Sequence, residues 1–96
     1  MKFLILERTK QAPVEVWAKL LPAHFKYLDD LQKQGKIEVS YHLIGEQGDV
    51  LIVNADSDEE LSKIVGEDPL FFCSQRQIYP LTTREVHKKR LRKIIK

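Results

Sequence analysis

The sequence predicts an α+β fold with the element order βαββαβ. Three observations carry that prediction. An apolar run opens the chain at Phe3-Leu4-Ile5-Leu6, and a long amphipathic helix follows and closes at Gly35. The stretch from Gly35 to Leu81 then reads as strand, turn, strand, capped helix and strand, with a Pro-Leu stop. Ninety-six residues make one domain of modest size, which leaves roughly a third or more of its unfolded surface exposed and gains from association with another copy. A composition 43% hydrophobic and 31% charged is that of a globular chain, not a disordered one.

Residues 2–8 form the first strand. KFLILE is apolar at successive positions, which predicts a strand covered on both faces. Gln11-Ala12-Pro13 is a loop, and Pro13 suits the first helical position because its missing N–H costs nothing there. Trp17, Leu20, Leu21, Leu28 and Leu31 then form a helical stripe whose one gap is filled by His24. Pro22 lies inside the pattern and predicts a kink or a restart two residues before His24. Gly35 is the C-terminal cap.

From Ile37 to Ile44 the pattern alternates. Ile37, Val39, Tyr41 and Leu43 fall on one face, and Glu38, Ser40, His42 and Ile44 on the other. Gly45 to Gly48 is a turn, and Asp49 to Asn54 is a central strand. Ser57-Asp58-Glu59-Glu60 is a capping box that starts a helix burying Leu61, Ile64 and Val65 and stopping near Gly66. Asp68-Pro69 breaks the helix, Leu70-Phe71-Phe72 form an apolar plug, and Cys73 to Tyr79 is the last strand, ended by Pro80. Thr83 or its neighbour caps a final basic helix with a narrow apolar edge of Leu91, Ile94 and Ile95.

Two crossovers joined by a hairpin give a ferredoxin-like, antiparallel four-stranded sheet with both main helices on one face. The other face needs a cover, which predicts two sheets packed face to face in a dimeric α+β barrel. Residues 1–82 form this domain and residues 83–96 a basic helical tail. The tail holds seven Lys or Arg and one Glu, a net of +6. Residues 1–83 hold nine basic and thirteen acidic residues, a net of −4.

The order LQKQGKIE, a hairpin ending HLIG, VNADSDEEL and then DPLFFCSQRQIYPL, over residues 31–81, resembles the muconolactone isomerase-like family of small dimeric α+β barrel proteins. PAHFKYLDDLQKQGKI with the later DP is similar to the YCII-related proteins of the same superfamily. In those a helix His and the Asp of the DP element form an active-site pair, which corresponds here to His24 and Asp68. Where the YCII-like pattern carries an Arg just before the Pro, this chain has Leu21. Its end is a basic helix in place of the usual muconolactone isomerase terminus.

The resemblance implies a small cofactor-independent isomerase that transfers a proton on an unsaturated lactone or related small carboxylate. A non-catalytic dimeric ligand- or partner-binding module, or a cofactor-free monooxygenase, are the other readings. His24 is the candidate proton-transfer group, because an imidazole titrates near neutrality; it reads equally as a core histidine bonded to a carbonyl. Asp68 is the candidate that orients His24, or the residue that sets a turn before Pro69. His42 and Glu38 are candidate substrate-binding residues if their face lines a cavity, and an ordinary wet face if it does not. Arg76 binds a substrate carboxylate or bridges to Glu7 or Glu38.

No cofactor is expected and no residues have metal-ligand spacing. Expected partners are a second copy, in a homodimer or higher homo-oligomer, and a small-molecule ligand. No membrane span is expected, and the sheet lacks the aromatic signature of RNA recognition, so nucleic acid is not an expected partner. The single Cys73 and the lack of a signal-peptide pattern point to a cytoplasmic protein.

Overall fold

The structure, a computed structural model, describes residues 1–10 and 12–95. Gln11 of the expected loop and Lys96 of the tail lie outside them. The elements run β1 (Lys2–Thr9), α1 (Val14–Lys33), β2 (Ile37–His42), β3 (Gly48–Asn54), α2 (Asp58–Gly66), a 3-10 turn (Phe71–Cys73), β4 (Ser74–Leu81) and α3 (Arg84–Leu91). The four strands form one antiparallel sheet in the order β2-β3-β1-β4, the ferredoxin-like arrangement. Helices α1 and α2 close one face over a core of Phe3, Ile5, Leu28, Leu31, Ile37, Leu51, Val53, Ala55 and Ile64. The Tyr27 hydroxyl donates to the Ile64 carbonyl at 2.6 Å and ties α1 to α2.

Local signals place most boundaries. Ser57 Oγ accepts the Glu60 N–H at 3.1 Å and starts α2, and Thr83 Oγ1 accepts the Val86 N–H at 3.2 Å and starts α3. Gly35, with φ 76°, carries the left-handed turn after α1 that a side chain would strain. Gly48 is required for another reason. A Cβ there would run into the Glu7 carbonyl, so the absence of a side chain lets β3 begin close against β1.

Five expectations are corrected. Helix α1 runs through Pro22 as a single element, with Pro13 as its N-cap and not its first residue; Pro22 is exposed, and the buried residues of α1, His24, Leu28 and Leu31, all follow it. In β1, Phe3, Ile5 and Glu7 are buried under the helices, while Leu4 and Leu6 are only half-buried on the other face. The alternation in β2 is broken by an irregularity between Ile37 and Val39, which pair with the adjacent residues Val53 and Ile52. Ile37 therefore faces the core, apart from Val39 and Tyr41, and Glu38 leaves the face that Ser40 and His42 share. Leu70 is buried but Phe72 is 95% exposed, so the plug is Leu70 with Phe71. Pro80 sits inside β4, opposite Phe3. An edge strand tolerates it because the missing N–H faces no neighbour.

The sheet face away from the helices carries half-buried Leu4, Leu6, Val39, Val50 and Ile52, with Tyr41 69% exposed. Helix α3 is exposed along its length apart from half-buried Leu91. Among the described residues, no helix is long and apolar enough to cross a membrane.

Candidate active site

Strand register builds the floor of the site. His42 lies opposite Asp49, Asp49 opposite Glu7, and Glu7 opposite Arg76, so one row of four polar side chains crosses all four strands. The row lies on the helix side, at the end of the sheet where Phe3 and Ile5 give way to Glu7. Over it hangs His24, the polar member of the α1 stripe and 1% exposed. Asp68 enters from the turn after α2.

The contacts form one connected network. His24 Nδ1 is 2.7 Å from Asp68 Oδ1, and its Nε2 is 3.1 Å from Asp49 Oδ2 and 3.8 Å from Glu7 Oε1. Arg76 Nε donates to Glu7 Oε2 at 3.1 Å, Nη2 to Asp68 Oδ2 at 3.4 Å, and Nη1 to the Phe71 carbonyl at 3.3 Å. The Phe71 ring lies 5.2 Å beneath the guanidinium. His42 Nδ1 is 3.2 Å from Asp49 Oδ1. Asp68 Oδ1 also accepts the Leu70 N–H at 2.9 Å, so the same carboxylate sets the turn before the plug and holds the histidine. Among the described residues, no buried side-chain nitrogen or oxygen lacks a hydrogen-bond partner.

These contacts set the charges. Burial works against a charged His24, but hydrogen bonds to Asp49 and Asp68, with the charges of Asp68 and Glu7, outweigh it and raise its pKa to about 9. His24 is therefore an imidazolium at neutral pH, poised as an acid. Glu7 moves the other way for a carboxyl. Burial first, then the Asp68 charge, raise it to about 7, against the opposing pull of Arg76 and His24. Burial also opposes ionisation of Asp49 and Asp68. The histidine bonds prevail at both, aided by the Leu70 N–H and Arg76 at Asp68, and hold both carboxyls below the usual carboxylate range.

A cavity of about 590 Å³ opens beside this network, with Glu7, His24, His42 and Asp49 in its wall. Of the residues expected from sequence, the structure brings His24, Asp68, His42 and Arg76 into one network and leaves Glu38 out. Glu38 pairs with Lys2 and Asn54 at the far end of the sheet, because the irregularity in β2 turns it to the other face. Arg76 bridges to Glu7 and not to Glu38, and lies behind the cavity wall. Sequence reasoning missed Glu7 and Asp49. The signal for Glu7 was its period-two spacing from Phe3 and Ile5, which places it on their face once β1 is read as covered on one side only. For Asp49 no local signal exists, since its role follows from pairing with Glu7 and His42.

Glu7, His24 and Asp68 place ligand atoms within 4.8 Å of one another, close enough to share a cation. The donor set does not suit one. Both carboxylates already bind the Arg76 guanidinium and both imidazole nitrogens are engaged, so the positive charge that the site needs is built in.

A single antiparallel sheet, with helices on one face and a cluster of ionisable side chains beneath them, places the protein in the ferredoxin-like α+β class. Within that class the chain belongs to the muconolactone delta-isomerase family, whose family model matches residues 1–87. A comparison with curated protein sequences finds no match. Among solved structures, muconolactone isomerase superposes with a TM-score of 0.77 at 18% identity, over 88% of this chain and 91% of that one. The 5-chloro-2-hydroxyhydroquinone dehydrochlorinase TftG from Burkholderia phenoliruptrix AC1100, solved in complex with 2,5-dihydroxybenzoquinone, superposes with a TM-score of 0.73 at 23% identity, over 90% of this chain and 98% of that one. At these identities the likeness to each is one of fold.

Proposed function

We propose that the protein is a small cofactor-independent enzyme that moves a proton on an unsaturated lactone or a related small oxygenated compound. The observation that carries this reading is His24, buried, held at both nitrogens by carboxylates and set in the wall of a cavity beside Glu7. A shift of a double bond needs one group to take a proton and another to steady the charge that develops. In this reading the Glu7 carboxylate, with a pKa near the working pH, takes the proton from the carbon next to a carbonyl. The electron pair moves to the carbonyl oxygen, and the positive charge of the adjacent His24 imidazolium steadies it through space. Glu7 exchanges its proton with solvent through the open cavity and returns one to the far carbon of the extended enolate, which restores the enzyme and shifts the double bond. Asp68 orients His24, His42 contacts the substrate's polar edge, and Arg76 acts through Glu7 and Asp68 as a positioning residue.

Membership of the muconolactone delta-isomerase family supports this reading, and so does the ring compound bound by TftG in its solved structure. A binding module without chemistry is supported less, because a cavity of this size stands next to titratable groups. A cofactor-free oxygenase calls for a roomy apolar cavity with one proton acceptor, whereas this wall carries several carboxylates. Deuterium wash-in from D2O into a panel of unsaturated lactones and cyclic enones, followed by NMR, tests the proposal. Exchange in the wild type that falls at least a hundredfold in His24→Gln supports it, on the scale typical of a general acid or base. Equal exchange in both proteins, or none in the wild type, sinks it.

The same reading places residues 1–82 as the enzyme domain, residues 83–96 as an appended basic tail, and the free Cys73 in a reducing cytoplasm. It also pairs two copies through the half-buried sheet face, as the apolar residues at Leu4, Leu6, Val50 and Ile52 suggest. Sedimentation should then show a dimer that Ile52→Lys converts to monomer; a monomeric wild type contradicts the pairing.

A further inference from the structure

We propose that the cavity selects an uncharged ring bearing hydroxyl or carbonyl groups and rejects carboxylates, and that Leu21 is a specificity-determining residue for this choice. The inference rests on the reading of this cavity as the substrate site and narrows its substrate class.

Three observations carry it. First, the described residues lining the cavity include three carboxylates, Glu7, Asp29 and Asp49, and no Lys or Arg. Second, the groups that can carry positive charge, Arg76 behind the wall and His24 and His42 in it, are already engaged by carboxylates, His42 by Asp49 at 3.2 Å. Arg76 has an 8% exposed side chain, and its guanidinium donates to Glu7, Asp68 and the Phe71 carbonyl. His24 is engaged at both nitrogens by Asp68 and Asp49. With Asp49 and Asp68 ionised, Glu7 partly so and Asp29 at the rim, the site carries a net negative charge. A substrate carboxylate entering it meets repulsion and no bidentate partner. Third, the rest of the wall suits a neutral ring. Leu21 and Leu28 offer apolar surface, while Thr9, Ser40 and Gln47 offer uncharged groups that bond to hydroxyls and carbonyls.

Leu21 lies three residues before His24 on α1 and lines the same cavity, so the two side chains share one helix face. It is half-buried, and a long cationic side chain there reaches the cavity while its stem keeps the apolar contact. An arginine at this position supplies what the native wall lacks.

The test is calorimetric titration of wild type, Leu21→Arg and His24→Gln with matched probes. Catechol and hydroquinone are the neutral set, benzoate and cis,cis-muconate the anionic set. Wild type should bind the neutral set at least tenfold more tightly. Leu21→Arg should reverse the order, and its preference for anions should weaken with salt. Leu21→Lys, with a thermal melt of each variant, serves if the arginine variant does not fold. His24→Gln should keep the wild-type order, because selectivity by charge does not need proton transfer. Tighter or equal binding of muconate or benzoate by wild type overturns the proposal. So does an unchanged ratio in the folded cationic variants, or no binding of any probe. A ratio that holds while the deuterium exchange fails overturns only the catalytic reading. A ratio that fails while His24-dependent exchange persists overturns only the substrate class.

Discussion

Arg76→Leu is expected to destabilise the fold by about 3–5 kcal/mol, the cost of leaving a buried charge without its partner. Two carboxylates depend on this one guanidinium. It bonds to Glu7 at 3.1 Å and to Asp68 at 3.4 Å, and all three side chains are at most 8% exposed. Leucine keeps some packing against Phe71 but leaves Glu7 and Asp68 facing each other with only His24 between them. Glu7 escapes part of the penalty by taking a proton, since its pKa already stands at about 7. The loss should therefore be larger at pH 8 than at pH 5. For a domain of this size, 3 kcal/mol lowers the melting temperature by roughly 12 °C or more. Adding Glu7→Gln should recover part of it. The exposed pair Lys2–Glu38 is the control: its side chains are nearly half exposed, and Lys2→Met should change stability little. Urea denaturation of the four proteins at the two pH values checks the result. A loss in Arg76→Leu no larger than in Lys2→Met would show that the network does not carry the stability assigned to it.

Stability should also be greatest on the acid side of neutrality and fall as the pH rises. His24 has a pKa of about 9 in the fold against 6.5 when unfolded. Its contribution is fully present below about pH 6.5 and is lost as the pH climbs through about 9. A shift of that size is worth on the order of 3 kcal/mol. Glu7 has the same sign: its raised pKa favours folding while it holds its proton, and that advantage disappears as the pH rises from 4.5 through about 7. Asp49 and Asp68 act in the opposite direction, because their lowered pKa values stabilise the fold above the ordinary Asp range and cease to do so in acid. The four together predict a maximum near pH 4 to 4.5, above the ordinary Asp value and below the ordinary Glu value, with a decline from there toward alkaline pH. Urea midpoints at pH 5.5, 7.5 and 9.5 should decline in that order, and His24→Gln should flatten the decline between the last two. A midpoint that stays level or rises toward pH 9.5 contradicts this assignment of charges.

How much of this was legible in the sequence varies residue by residue. His24 was marked by its place in an otherwise apolar helix stripe, and Asp68 by the Asp-Pro break. These are local signals, and the structure puts both residues at one site, 2.7 Å apart. The face of Glu38 was misread because a strand's alternation fixes faces only while the register is regular, and the irregularity after Ile37 shifts the phase for the residues beyond it. Phe72 was misread because an apolar triplet after a helix does not say which ring turns outward. Pro22 was overweighted: α1 continues through it, and the buried residues His24, Leu28 and Leu31 anchor the helix just beyond it.

The sequence by itself determined the element order, the caps at Ser57 and Thr83, the ferredoxin-like sheet and the helix residue at the centre of the site. Those follow from periodicity, turn chemistry and chain connectivity, all of which act over a few residues at a time. Only the tertiary structure decided the row His42–Asp49–Glu7–Arg76 and the charges on it. Those four residues are far apart in the chain except for His42 and Asp49. Strand register aligns them, and burial under His24 then makes the pKa of each carboxyl depend on all its neighbours.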